Sequence, residues 1–130
     1  MKILLVSSDP KTRELMAVLM PSLKRSVGED PEFLEARDGV RGAEVARRSM
    51  PDAVIADEIS SRAGAFALAR DLRNGEPAFE GLIAILLDRK EDEWLARWSG
   101  ADAWFVKPVN PFEVADTITA FVDNGEKEAV

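Results

Sequence analysis

Short apolar runs recur along this chain, and amphipathic stretches with helical spacing separate them. The runs are ILLV, EFLEA, PDAVIAD, GLIAILL and AWFV. Strands that are apolar without alternation are buried on both faces, and helical crossovers between such strands make them parallel. The pattern therefore predicts a single α/β domain, with five helices around a doubly wound, five-stranded parallel sheet.

Local signals place several helix boundaries. Asp9 followed by Pro10 is typical of an N-cap and a first helical residue. Pro21 has no backbone N–H, so we expect the first helix to kink or end near Met20. Gly100 is placed to end the fourth helix. The folded domain is predicted to span residues 1–124, and residues 125–130 are predicted to form a polar, frayed tail.

Composition excludes several classes of function. The chain has no cysteine and no histidine, which removes disulfides, thiolate or histidine zinc sites and the Ser-His-Asp triad. A net charge of -7 disfavours direct binding to nucleic acid. The longest apolar run, Leu82 to Leu87, is too short to span a membrane, and no signal peptide is recognisable. We therefore expect a cytoplasmic protein without membrane contact.

Polar residues follow the predicted strands, at the sheet edge where open α/β folds place their functional crevice. They are Ser7, Ser8 and Asp9 after the first strand, Asp57 and Glu58 after the third, Asp88 after the fourth, and Lys107 after the fifth. Taken alone, Asp57 would be interpreted as a helix or loop cap, and Lys107 as a surface lysine before a turn. Together they match a carboxylate that accepts a phosphoryl group and an ammonium that neutralises the new charge.

The chain resembles a response-regulator receiver domain over essentially its whole length. The matching stretches are KILLVSSDP, PDAVIADE, GLIAILLD and GADAWFVKPVNPFEV, in the same order and spacing. The resemblance implies a flavodoxin-like (βα)5 fold and a role in two-component signalling. It also implies that Asp57 accepts phosphate from a histidine kinase, that Lys107 contacts the phosphoryl group, and that the Lys107–Pro108 bond is cis.

Two serines stand where the family has its acidic pair. In receivers that pair holds Mg²⁺ together with the phosphoacceptor and a backbone carbonyl, which here is the carbonyl of Ile59. Magnesium needs hard, charged oxygen ligands, and the hydroxyls of Ser7 and Ser8 are poor substitutes. Asp9 is better placed to cap the next helix than to bind a metal, and Glu58 is expected to be a solvated loop residue instead of a metal ligand. The candidate metal site is therefore weak, and it consists of Asp9, Asp57 and Ile59.

Three further positions depart from the family pattern. Leu87 replaces a threonine or serine whose hydroxyl contacts the phosphoryl group. Asp88 replaces a small residue, and its charge would oppose an incoming phosphate and pair with Lys107 instead. Trp104 stands at the switch aromatic, which is usually tyrosine or phenylalanine. We interpret these changes as the loss of the metal-dependent phosphorylation cycle.

All three tryptophans fall in the region that receivers usually present to partners, namely the fourth helix, fifth strand and fifth helix. Trp94 and Trp98 are four residues apart, so they share one helical face. Packing into the core and exposure at an interface are equally expected for this pair. Trp104 is expected at the edge of the sheet, partly exposed. This face is predicted to contact a signalling partner or a second copy of the chain.

The resulting hypothesis is an atypical receiver, or pseudo-receiver, that acts as a protein-interaction module without enzymatic activity and without a cofactor. The alternative is a working receiver, phosphorylated on Asp57 by a histidine kinase with Mg²⁺. A small α/β enzyme with Asp57 as nucleophile is disfavoured, because the chain has no histidine, cysteine or glycine-rich phosphate loop. A receiver whose crevice senses a small molecule is a further alternative.

Overall fold

The computed structural model describes residues 1–58 and 64–128, which form one parallel sheet with helices on both faces. The strands are β1 (Lys2–Val6), β2 (Glu32–Ala36), β3 (Ala53–Asp57), β4 (Leu82–Leu87) and β5 (Ala103–Val106). Their order across the sheet is β2-β1-β3-β4-β5. The chain passes from β1 outward to β2 and then crosses back over β1 to β3, so the switch point in strand order lies between β1 and β3. The predicted five-stranded α/β architecture is confirmed.

Five helices connect and cover the strands. They are α1 (Pro10–Val27), α2 (Gly39–Ser49), α3 (Ala65–Arg73), α4 (Glu93–Trp98) and α5 (Pro111–Glu128). A short 3₁₀ turn at Lys90–Asp92 leads into α4, which is therefore shorter than the predicted helix. Across the part of the chain described, no helix combines the length and apolar content needed to cross a bilayer.

Side chains from the strands point alternately into two apolar cores, one on each face of the sheet. The core under α2 and α3 includes Leu4, Val6, Leu68, Leu72 and Ile83. The core under α1 and α5 includes Ile3, Leu5, Leu19, Ile55 and Ile118. Every one of these side chains is at most 2% exposed. Burial on both faces explains why β1, β3 and β4 lack an alternating pattern.

Pro21 does not end the first helix, so the prediction of an end near Met20 is wrong. The helix α1 continues to Val27, and Gly28 then takes a left-handed conformation with φ 87°. Its N–H donates to the carbonyl of Lys24 at 2.8 Å. Leu19 and Leu23 lie on either side of the proline and are fully buried. Their packing holds both halves of the helix in place despite the missing N–H.

The last helix is longer than predicted. The backbone of α5 remains helical through Glu128, four residues into the segment predicted as a frayed tail from 125. Extending an existing helix adds one hydrogen bond per residue without a new nucleation cost, so a polar segment continues it readily. Residue 124 is therefore not a boundary in backbone structure.

Arg73, at the end of α3, holds together the amino edge of the sheet, opposite the carboxyl ends of the strands. Its guanidinium donates to the carbonyls of Gly100 at 2.9 Å, Phe79 at 2.7 Å and Gly81 at 3.0 Å. It also forms an ion pair with Asp102, whose carboxylate accepts from the N–H of Ile83. One side chain thus links α3 to the segments that start β4 and β5.

We predict that Arg73→Ala lowers the free energy of unfolding by about 3 kcal/mol, because several acceptors lose their donor at once. Urea unfolding followed by circular dichroism measures the change. The matched control is Arg47→Ala, since Arg47 pairs with Asp71 on the exposed surface at 2.7 Å. Such exposed pairs contribute about 1 kcal/mol or less. Equal losses for the two variants would contradict the assignment of Arg73 as the link.

Candidate functional site

The Asp57 carboxylate lies at the end of β3 and is fully buried. Its Oδ2 accepts hydrogen bonds from Ser7 Oγ at 3.0 Å and from Thr12 Oγ1 at 2.6 Å. Its Oδ1 accepts from Lys107 Nζ at 2.6 Å. Both oxygens of the carboxylate therefore have donors from other elements of the fold.

Strand register brings these groups together. Val6 pairs with Ala56, so the next residues, Ser7 and Asp57, lie side by side where β1 and β3 end. Thr12 is in the first turn of α1 and faces the same edge of the sheet. Sequence reasoning missed Thr12 as a site residue. The available signal was its position three residues after a predicted N-cap, at the start of a helix that packs on the sheet.

Lys107 forms ion pairs with two carboxylates at once. Its Nζ lies 2.6 Å from Asp57 Oδ1 and 2.9 Å from Asp88 Oδ1. Burial alone would lower the pKa of Lys107, but the hydrogen bonds to Asp57 and Asp88 outweigh it and raise the pKa above its usual value. The predicted pairing of Lys107 with Asp88 is confirmed, and the Lys107–Pro108 bond is cis as the resemblance implies.

Asp9 caps α1, as predicted. Its Oδ1 accepts from the N–H of Lys11 at 2.9 Å, and its own N–H donates to Ser7 Oγ at 3.0 Å. Ser8 is exposed. Ile59 lies outside the described residues, so its part in the candidate metal set stays a prediction. Among residues 1–58 and 64–128, no three acidic side chains are grouped closely enough to hold a metal ion.

The groups around Asp57 fit Mg²⁺ poorly. The ion takes oxygen ligands at near-ideal octahedral geometry and relies on carboxylates to bind. Here Asp57 Oδ2 is engaged by the hydroxyls of Ser7 and Thr12, while Oδ1 is engaged by an ammonium. The nearby carboxylate of Asp9 is occupied in capping α1. These donors compensate the charge of Asp57 with two hydroxyls and one ammonium in place of a metal ion.

Glu58 belongs to a second group of carboxylates beside Asp57. We predicted a solvated loop residue, but its Oε2 accepts from the N–H of Asp88 at 2.6 Å. Burial and a hydrogen bond to Asp92 raise the pKa of Glu58 to about 7. Asp92 is itself buried and ion-paired with Arg89 at 3.1 Å, which lowers its pKa. These surroundings favour the protonated form of Glu58 more than water does.

The positions that replace the phosphoryl-binding and switch residues are filled by packed side chains. Leu87 is fully buried in the core under α2 and α3. Trp104 is half-buried, as predicted, and its Nε1 donates to Glu93 Oε2 at 2.9 Å. The guanidinium of Arg97 lies 5.5 Å from the centre of the same ring. Trp104 is thereby held at the edge of the sheet.

The two tryptophans of α4 are on the surface. Trp94 is 62% exposed and Trp98 is 56% exposed, which settles the open question against core packing. Phe112, at the start of α5, is exposed as well. Large apolar side chains therefore remain uncovered on this side of the molecule.

A cleft of about 330 Å³ adjoins the Asp57 site between α1 and the segment after β5. It is lined by Asp9, Lys11, Thr12, Leu15, Leu86, Lys107, Pro108 and Val109. Its lining is largely apolar, with two lysines and one carboxylate among the polar groups. A small-molecule ligand in this crevice stays a prediction.

Two curated relatives are response regulators. A response regulatory protein of Mycobacterium tuberculosis is 29% identical over 123 residues, covering 94% of this chain and 91% of that protein. The alkaline phosphatase synthesis transcriptional regulatory protein PhoP of Bacillus subtilis is 27% identical over 125 residues. That match covers 96% of this chain and 50% of PhoP, so the chain spans about half of PhoP. No family model matches the chain.

Solved structures share the fold. The receiver domain of the sensor histidine kinase PA1611 from Pseudomonas aeruginosa superposes with a TM-score of 0.79 at 19% identity. The match covers 94% of this chain and 97% of that one, whose active-site cleft coordinates a magnesium ion. The strand order and the residues at the strand ends agree with these matches, so the chain has the receiver fold and is similar to response regulators over nearly its whole length.

Proposed function

We propose that this receiver is an atypical one, a protein-interaction module in two-component signalling that works without Mg²⁺-dependent phosphorylation of Asp57. The observation that carries the proposal is the set of donors on the buried carboxylate. Ser7 and Thr12 hold one oxygen and Lys107 holds the other. The carboxylate is thereby stabilised by the protein itself, in the place where a metal-dependent receiver needs a cation.

The residues around Lys107 support the same proposal. An incoming phosphoryl group has to take the ammonium of Lys107 away from Asp88, and the Asp88 carboxylate would then repel the new dianion. Leu87 offers no hydroxyl to a phosphoryl oxygen and fills its space with a buried apolar side chain. Both features raise the free energy of a phosphorylated state.

Function in this proposal lies in binding, so the protein is not an enzyme and needs no cofactor. The partner is a signalling protein or a second copy, bound through the surface of α4, β5 and α5, where Trp94, Val106 and Phe112 are exposed. Two relatives indicate the kinds of system involved: PA1611 is a sensor histidine kinase and PhoP is a transcriptional regulator. A histidine kinase is therefore one possible class of partner.

We predict that incubation with acetyl phosphate and Mg²⁺ leaves the intact mass of the wild-type protein unchanged. The reason is that the Ser7 and Ser8 hydroxyls replace the carboxylates that would hold a divalent metal ion, and the one nearby ammonium, Lys107, is shared between Asp57 and Asp88. An Asp57→Asn variant provides the blank, and an ordinary receiver labelled in parallel shows that the reagent works. A gain of one phosphoryl group on the wild type alone would establish the alternative, a working receiver phosphorylated on Asp57.

Thermal denaturation with and without Mg²⁺ tests the metal site directly. We predict no shift of the wild-type Tm, and a rise of Tm with Mg²⁺ for the double variant Ser7→Asp/Ser8→Asp. Without metal the double variant is less stable than the wild type, because it loses the Ser7 donor and places a second carboxylate against Asp57. Binding of Mg²⁺ to the folded state alone then restores stability by mass action.

The control for this experiment adds Asp57→Asn to the double variant, which removes the shared ligand and should abolish the rise of Tm. A wild-type Tm that rises with Mg²⁺ and loses that rise in Asp57→Asn would contradict the proposal, since the native site would then bind the ion.

We predict that Thr12→Val lowers the free energy of unfolding by about 2 kcal/mol, because a buried charge loses a hydrogen-bond donor while shape is kept. Thr117→Val is the matched control. The Thr117 hydroxyl bonds only to the helix carbonyl of Glu113 in an exposed position, so a change within a few tenths of a kcal/mol is expected. Chemical unfolding of both variants gives the comparison, and equal effects would show that Thr12 has no special role.

A further inference from the structure

The outward side of α4 carries two tryptophans and charges of opposite sign at its two ends. Glu93 and Arg97 are four residues apart, and so are Trp94 and Trp98, so the four side chains form one strip along the helix. Ala96 and Ser99, on the opposite side, are fully buried. We call the four outward residues the α4 strip.

Neighbouring elements show which way the α4 strip faces. Glu93 and Arg97 both contact Trp104, so that edge of the strip borders β5. On the other edge, Trp98 lies under the guanidinium of Arg70 from α3, at 4.5 Å from the ring centre. The strip therefore extends toward α3, away from α5.

The arginines of this surface have no carboxylate partner in the described parts of the chain. Arg70 and Arg97 form cation–π contacts with Trp98 and Trp104, and neither forms an ion pair with residues 1–58 or 64–128. Each guanidinium lies against an indole ring, the exposed ring of Trp98 for Arg70 and the half-buried ring of Trp104 for Arg97. Tryptophan and arginine are also the side chains most enriched at interface hot spots.

We propose that the α4 strip joins two copies of this chain in a symmetric dimer, with the two α4 helices antiparallel. In a two-fold arrangement about the middle of α4, Glu93 approaches Arg97 of the partner subunit, and Trp94 approaches Trp98 of the partner subunit. The strip is thus complementary to itself, as a closed dimer requires. Antiparallel helices also place their opposite dipole ends together.

The size of the strip sets the strength of the dimer. An aromatic side chain buries about 150–250 Å² when fully covered. Four half-covered tryptophans supply roughly half of the ~1,000 Å² that small stable interfaces bury, with arginines and their neighbours supplying the rest. We therefore expect a dissociation constant in the micromolar range. The dimer proposal rests on the proposed function because it assumes that the chain associates without phosphorylation of Asp57.

Sedimentation velocity over a series of concentrations tests the dimer. The unphosphorylated wild type should pass from monomer to dimer as concentration rises, while Trp94→Ala and Trp98→Ala should weaken association at least tenfold. Both side chains are exposed, so these variants keep the core intact. Phe112→Ala, on the α5 part of the proposed binding surface, serves to locate the interface. The matched control is Val40→Ala, which removes another exposed apolar side chain, 48% exposed, from α2 instead of α4. This control should dimerise like the wild type.

Charge reversal tests the antiparallel arrangement. Arg97→Glu and Glu93→Arg should each weaken the dimer, because each places like charges across the two-fold axis. The double variant Glu93→Arg/Arg97→Glu should recover most of the affinity, since it exchanges the two members of the same pair. Far-ultraviolet circular dichroism and urea unfolding verify that these variants stay folded, since each substitution also changes a contact of Trp104.

Three results would overturn the proposal. They are a wild type that stays monomeric at all concentrations, a dimer that survives loss of both α4 tryptophans, and a dimer lost in Phe112→Ala but kept in Trp98→Ala. The last result would move the interface to α5. None of them bears on the intact mass after phosphodonor treatment, so failure of the dimer and failure of the proposed function are distinguishable.

Discussion

The Asp57 carboxylate is a buried charge, and the carboxyl edge of the sheet is organised around its donors. Removing a carboxylate from water costs several kcal/mol unless hydrogen bonds and an opposite charge replace the solvent. The replacements come from three separate places, Ser7 after β1, Thr12 in α1 and Lys107 after β5. The charge thereby ties the ends of β1 and β5 and the start of the first helix to the end of β3.

That arrangement explains why structure and phosphorylation compete at this position. A phosphoacceptor has to give up a carboxylate oxygen to a new bond, and its lysine has to follow the phosphoryl group. Here Lys107 is shared with Asp88, and Leu87 fills the neighbouring space. In the proposed function, a phosphorylated state is disfavoured because it would break the contacts with Ser7, Thr12 and Lys107 that compensate the burial of Asp57.

The architecture could be predicted from the sequence because burial on both faces of the sheet restricts which residues a strand can contain. A strand such as Leu82–Leu87 is apolar throughout only when both faces are covered, and Asp9-Pro10 is a specific helix start. Thr12, by contrast, was missed because a threonine in a first helical turn is common. Its role depends on where the end of β1 places the start of α1 in the fold. The predicted end of the first helix near Pro21 was wrong for a similar reason. The packing of Leu19 and Leu23 outweighs the one hydrogen bond that the proline removes. The exposure of Trp94 and Trp98 depends on how the 3₁₀ turn sets the rotation of α4, which spacing alone cannot determine.

Side chains of opposite and like charge lie between Asp57 and α4. Glu58 follows Asp57 in the chain, and the carboxylate of Asp92, the residue before α4, contributes to its raised pKa, while Glu93 at the start of α4 accepts from Trp104. Contiguity of this kind transmits a signal only where an element has two stable arrangements. In an ordinary switch, the aromatic residue would move into space opened beside β4. Leu87 is fully buried in that space, and Trp104 contacts both Glu93 and Arg97, which supports the proposal that the surface of α4 does not depend on phosphorylation. A surface held in this way suits a constitutive contact better than a switched one.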